Sequence, residues 1–176
     1  CPDLYAGDFI IDLASDDDDV WRRSIDEVQE VIRLTRDLGR FFDAEQPPVV
    51  ICTMGGFTRD AFVPVEHRPA KYARIAAALE RIDETDVRLT AQTLPPFPWL
   101  MGGQQHHNLF MGLDDTVDFC EQHGRHLTLD LSHSKLAANF TRRPFSEYIE
   151  RLAPLTEHLH IVDAEGLDGE GPQIGC

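Results

Sequence analysis

The chain has 176 residues, 42% hydrophobic and 27% charged, a composition that supplies the core of one globular domain. Its formal net charge of −15 repels a phosphate backbone, so nucleic acid is not an expected partner. No apolar run approaches the roughly 20 residues that span a bilayer, and the start lacks the basic and apolar regions of a signal peptide, so the expectation is a cytoplasmic protein without membrane contact. Cys1, Cys52, Cys120 and Cys176 are widely spaced and form no C-x-x-C pair. They are read as reduced thiols and not as a zinc or disulfide framework.

Phe9 to Leu13 reads as a short strand. The run Asp16-Asp17-Asp18-Asp19 ahead of Trp21 favours a helix N-terminus over a cation site. An amphipathic helix is expected from Ser24 to Leu38, with Ile25, Val28 and Ile32 facing inward and Gly39 as its stop. Val49 to Cys52 is a buried strand that runs into the flexible loop Thr53-Met54-Gly55-Gly56. Pro69 to Arg81 is a second helix, with Tyr72, Ile75, Ala76 and Leu79 on one stripe. Val87 to Gln92 is a third strand, followed by a long loop from Thr93 to Asn108. That loop is rich in proline, glycine and aromatic residues, the composition of an ordered functional loop.

Leu113 to His123 is a helix with Asp114 and Asp115 in its first turn and Gly124 after its end. Leu127 to Asp130 is a β-rich apolar run, and His133 follows three residues on. Both groups can converge only if the strand stops near Asp130 and turns. A loop is expected around Lys135 to Pro144, then a helix from Phe145 to Leu155. The last strand is expected over His158 to Val162, followed by Asp163 and a tail rich in glycine and acidic residues.

Strand and helix alternate five times with connections long enough for right-handed crossovers, so the sheet is expected to be parallel. A doubly wound domain would carry a Gly-rich turn after its first strand, which is absent. The expected fold is therefore α/β, a partial (β/α)8 TIM barrel of about five units. Five units are too few to close a barrel, which takes about 250 residues.

In such folds the carboxyl ends of strands carry the chemistry. Three of them here bear groups of ligand type: Gln92, Asp130 with His133, and His160 with Asp163. A divalent ion held by oxygen and imidazole needs such groups arriving from separate strands. His158 and His160 are two residues apart and so point to one side of their strand.

Asp130-x-x-His133, then His158-x-His160-x-x-Asp163 and a Gly/Glu-rich loop, resemble the xylose-isomerase-like TIM-barrel superfamily of sugar phosphate isomerases and epimerases, which also contains the endonuclease IV group. The likeness covers strands three to seven of that barrel. It implies metal ligands at Gln92, Asp130 and His160, with His133 a substrate contact or a ligand of a second metal. His158, Trp99 and Gln104 become substrate contacts, and Glu170 and Asp163 the nearby acids that could move protons. The implied chemistry is metal-assisted proton transfer beside a sugar carbonyl through an enediolate.

Two departures matter. Gln92 stands where the family carries a carboxylate and offers a cation only a neutral carbonyl oxygen. That favours Mn²⁺ or Zn²⁺ over Mg²⁺, or no metal at all. The eighth strand is missing and the chain begins at Cys1, so residues 1–176 read as one barrel domain lacking units at both ends. The loop Pro95 to Trp99 with Gly102-Gly103-Gln104, and the tail Asp168 to Gly171, resemble a narrower branch found beside or fused to N-acylneuraminate synthases. The alternative to an enzyme is a non-catalytic carbohydrate-binding or scaffolding module attached to such a synthase, and Gln92 favours it.

Overall fold

The computed structural model describes residues 9–98, 106–172 and 174. Helix α1 spans Asp18–Gly39, six residues earlier than the apolar periodicity alone predicts. The acidic run explains the early start: the Asp17 side chain accepts from the amides of Asp19 (2.8 Å) and Val20 (3.2 Å), and Asp18 and Asp19 lie at the positive end of the helix dipole. Trp21, Ser24, Ile25, Val28 and Ile32 form its buried side.

In chain order there follow β1 (Val49–Cys52), β2 (Phe57–Thr58), α2 (Arg68–Leu79), β3 (Arg88–Gln92), β4 (His106–His107) and α3 (Leu113–His123). The remainder is β5 (Leu127–Asp130), α4 (Leu131–Thr141), α5 (Phe145–Leu152), β6 (Thr156–His160), β7 (Ala164–Glu165) and β8 (Gly169–Glu170). Strands β1, β3, β5 and β6 form one parallel sheet in that order, the open sheet of a partial TIM barrel. The pairs β2–β4 and β7–β8 are antiparallel ribbons outside it. No described helix is long and apolar enough to cross a membrane.

The expected strand at Phe9–Leu13 forms no ladder beyond an isolated bridge at Phe9. Ile11 and Leu13 are buried nonetheless, and one backbone bond together with the Asp12 side chain takes the place of strand pairing. Leu13 N–H donates to the Met54 carbonyl at 3.1 Å, and the Asp12 carboxylate accepts from the amides of Gly56 (2.9 Å) and Ala14 (3.0 Å). Gly55, at φ +88°, passes so close that an added Cβ would lie 2.2 Å from Asp12 Oδ1. Only glycine fits there.

The loop expected around Lys135 to Pro144 is largely helix α4. Asp130 caps it, accepting from His133 N–H at 3.1 Å, and Leu136, Ala137 and Ala138 are buried beneath it. The Ser/His-rich start looks like a turn because it is the helix's first turn, held by a strand-end aspartate. The last sheet strand ends at His160, where its partner β5 ends at Asp130.

Register and the two-residue alternation of strands place Thr90 and Gln92, Thr128 and Asp130, and His158 and His160 on one sheet face. They form two polar layers. Thr90 and Thr128 hydroxyls meet at 2.8 Å in the lower layer, and Gln92, Asp130 and His160 form the upper layer at the carboxyl edge. The opposite face, with Leu89, Ala91, Leu127 and Leu129, is packed in the apolar core with the helices.

Candidate functional site

Gln92, Asp130 and His160 come from three adjacent strands and touch. The Gln92 amide nitrogen lies 3.1 Å from Asp130 Oδ2 and 3.1 Å from His160 Nδ1, and that ring nitrogen lies 3.2 Å from the same carboxylate oxygen. It is thus the amide nitrogen of Gln92, and not its oxygen, that faces the aspartate. In this orientation Gln92 donates to the anion, and it would have to rotate its amide to offer a cation its carbonyl.

The other oxygen of Asp130 belongs to α4. Oδ1 accepts from Ser132 Oγ at 2.7 Å and from His133 N–H at 3.1 Å. His133 turns its ring back over β3, with Nδ1 2.8 Å from the Thr93 carbonyl. A carbonyl only accepts, so Nδ1 carries the proton. Nε2 then faces Glu170 Oε1 at 3.2 Å. Burial alone would push the His133 imidazole down. The Glu170 hydrogen bond and the charges of Asp130 and Glu170 outweigh it and hold the pKa above the ordinary value.

Glu170 arrives on β8, the return strand of the β7–β8 hairpin, and Ser132 Oγ is also 3.1 Å from its Oε1. The hairpin demands glycine at 169, where a Cβ would sit 2.7 Å from the Glu165 carbonyl. Asp130, His133 and Glu170 therefore converge, with one potential ligand atom from each lying within 4.8 Å of the others.

The remaining expected residues are placed differently. Asp163 Oδ1 is engaged by Lys135 Nζ at 2.6 Å and by the Ala164 amide at 2.8 Å, which makes it the anchor of the hairpin's base. His158 is exposed, and its ring stands edge-on to that of His160 with centroids 5.3 Å apart. Trp99 and Gln104 lie outside the described residues. Sequence reasoning passed over Ser132, Thr93 and Lys135, whose roles depend on contacts between residues as much as 41 positions apart, such as Ser134 Oγ to Thr93 Oγ1. It also passed over His107, buried beside this cluster and bonded through Nδ1 to the Pro95 carbonyl at 3.1 Å. Burial drives its pKa down to about 4, against the pull of that carbonyl and helped by His133.

The donor chemistry fits a divalent cation. Two carboxylates and an imidazole whose Nε2 is bare in the neutral ring give anionic oxygen and soft-enough nitrogen in one place. Asp130 is common to this group and to the expected set of Gln92, Asp130 and His160.

A parallel β/α sheet with its polar cluster at the carboxyl edge defines a protein of TIM-barrel type. A family model described as xylose isomerase-like TIM barrel matches residues 3–174, and the chain belongs to that family. No curated protein matches it by sequence. Among solved structures it is similar to an L-ribulose 3-epimerase (TM-score 0.61, 23% identity, covering 86% of this chain and 46% of that one). It is similar also to a D-tagatose 3-epimerase-like protein (TM-score 0.66, 18% identity, 98% and 58%). A D-allulose 3-epimerase from Methylomonas sp., solved with D-allulose, gives a TM-score of 0.60 at 11% identity, covering 86% and 48%. The chain spans about half the length of these structures, and the likeness is one of fold.

Proposed function

We propose that the chain is part of a divalent-metal-dependent isomerase or epimerase of an uncharged sugar, with the ion held by Asp130, His133 and Glu170. The observation that carries this reading is their convergence within 4.8 Å at the carboxyl end of the parallel sheet. The imidazole in the set favours Mn²⁺ or Zn²⁺ over Mg²⁺, which prefers oxygen ligands alone. When bound, such an ion would polarise the adjacent carbonyl and hydroxyl oxygens of a sugar and acidify the C–H of the hydroxyl-bearing carbon next to the carbonyl.

The chain's own groups do the rest. Glu170 is the carboxylate assigned to carrying the proton at carbon, and Ser132 fixes its Oε1 from 3.1 Å. Gln92 and His160, on the other flank of Asp130, hydrogen-bond sugar hydroxyls, with His158 below them on the same face. Thr93 holds His133 in one tautomer, so Nε2 alone faces the reaction. Lys135 is neutralised by Asp163 at 2.6 Å, which favours a free sugar over a sugar phosphate.

Solvent deuterium exchange into ketohexoses at C3 is the test. With Mn²⁺ present, the label should enter a free ketose and not its phosphate, and Glu170→Gln should slow it by at least about 100-fold, the lower range for a lost acid–base group. If Mn²⁺ binds but no ketose exchanges, the second reading gains, that of a carbohydrate-binding module without catalysis. The Gln92 amide favours that alternative, because it already satisfies Asp130 without a cation. The narrower placement beside an N-acylneuraminate synthase rests on the Pro95–Trp99 and Asp168–Gly171 motifs, and co-purification with such a synthase would test it.

A further inference from the structure

We propose that Lys135 and Asn139 of helix α4 are positioning residues that set Glu170 in the ion-binding cluster by clamping the β7–β8 hairpin. The inference rests on the reading that Asp130, His133 and Glu170 hold a divalent ion, and it adds two residues that touch neither the ion nor the sugar.

Glu170 is the member of the cluster that does not come from the sheet edge or the helix beginning at it. It stands on a hairpin of two two-residue strands joined by only two ladder pairs, Ala164 with Glu170 and Glu165 with Gly169. A ribbon that short does not hold its own shape in water, so its place is set by what it touches. Two polar ties fix it to α4. Lys135 Nζ meets Asp163 Oδ1 at 2.6 Å at the hairpin's base, and Asn139 Nδ2 donates to the Gly166 carbonyl at 2.7 Å at its tip.

Residues 135 and 139 are four apart and share one flank of the helix. His133, two residues before Lys135, points the other way, to Thr93 and Glu170. One helix thus holds the ligand pair at its first turn and the hairpin along its side. The base is closed by Gly171 N–H donating to the Asp163 carbonyl at 3.1 Å, which carries the Lys135 anchor directly to the residue after Glu170. Between helix and hairpin lies a half-open cavity of about 350 Å³ lined by Lys135, Asn139, Asp163 and Gly166. The hairpin is held across that gap by discrete polar ties, with Ala164 as its buried apolar foot.

The sign of one measurement separates this role from plain electrostatics. Removing a cation near a cation site should tighten ion binding, whereas loosening the hairpin that carries Glu170 should weaken it. Mn²⁺ affinity is read by titration calorimetry on the full chain for wild type, Lys135→Met, Lys135→Arg, Asn139→Ala and Glu170→Gln, with thermal melts of each metal-free protein. Lys135→Met and Asn139→Ala should each weaken Mn²⁺ binding by about tenfold or more, the usual cost of losing an outer-shell support, with metal-free melting little changed. Lys135→Arg should bind like wild type. Affinity that is unchanged or tighter in both Lys135→Met and Asn139→Ala, while Glu170→Gln weakens it, overturns the clamp alone. Unchanged affinity in Glu170→Gln overturns the metal reading and the clamp with it.

Discussion

Asp130 divides its two oxygens between two neighbourhoods, and much of the site's behaviour follows from that division. Oδ1 is saturated by Ser132 and the His133 amide, while Oδ2 faces Gln92 and His160. Gln92→Glu would set a second carboxylate against Oδ2, at the 3.1 Å now spanned by an amide hydrogen bond. Like charges so close destabilise the metal-free fold. The variant should therefore melt below wild type without metal and gain more from saturating Mn²⁺ than wild type does. Equal gains in both proteins, read by thermal melts, would place residue 92 outside the ion's influence.

His107 supplies a pH dependence on the acid side. Its folded-state pKa of about 4 lies below the ordinary 6.5, so below that ordinary value the unfolded chain takes up a proton that the folded chain refuses. The contribution of His107 should be fully present above about pH 6.5 and be lost on acidification at up to about 1.4 kcal/mol per pH unit until about pH 4. Denaturation at stepped pH should show this slope in wild type and a flatter one in His107→Gln. The Gln92, Asp130 and His160 layer was legible in the sequence because strand alternation and strand ends fix where such side chains point. Ser132 and Thr93 were not, since a hydroxyl and a backbone carbonyl carry no sequence mark of the long-range partner they meet.

At the scale of elements, the apolar patterns located every strand of the parallel sheet and most helices between them to within a few residues, apart from the early start of α1 and the whole of α4. Two elements escaped for opposite reasons. The segment Phe9–Leu13 has strand composition, but its amides bond elsewhere, Leu13 N–H to the Met54 carbonyl and Asp12 N–H to Ser24 Oγ, so it lies beside the sheet without joining its ladder. Helix α4 has a polar start, and only its cap on Asp130 and its buried Leu136-Ala137-Ala138 reveal it as helix. The β7–β8 hairpin that delivers Glu170 was legible only as a Gly/Glu-rich tail, because folding back onto α4 is a non-local event. The close passage of residues 12 and 55 yields a direct check. Gly55→Ala should cost about 2–3 kcal/mol in chemical denaturation, the scale of a strained backbone plus a clash with Asp12. A loss below about 0.5 kcal/mol, the ordinary range for an unremarkable surface change, would show that the turn can open.

Over the whole molecule, the sheet ends in β6, and the apolar side chains near that edge are left in water. Leu159 is 43% exposed, Ile161 60%, Val162 37% and Leu167 44%. An edge strand with exposed apolar neighbours templates pairing with other chains. The 176-residue chain should therefore associate with rising concentration in sedimentation velocity, its net charge of −15 slowing the process most at low salt. A monomer at all concentrations would mean that the edge is sufficiently guarded by Glu157 and His158.

Asp130, His133 and Glu170 are proposed to form one cation site. Anomalous diffraction from crystals of the full chain grown with Mn²⁺ tests it most directly. A single strong anomalous peak is expected within bonding distance of Asp130, His133 Nε2 and Glu170, with His133 Nδ1 still on the Thr93 carbonyl. A peak bound instead to Asp130, His160 and the Gln92 carbonyl, with Glu170 turned away, or no peak at all, would contradict it.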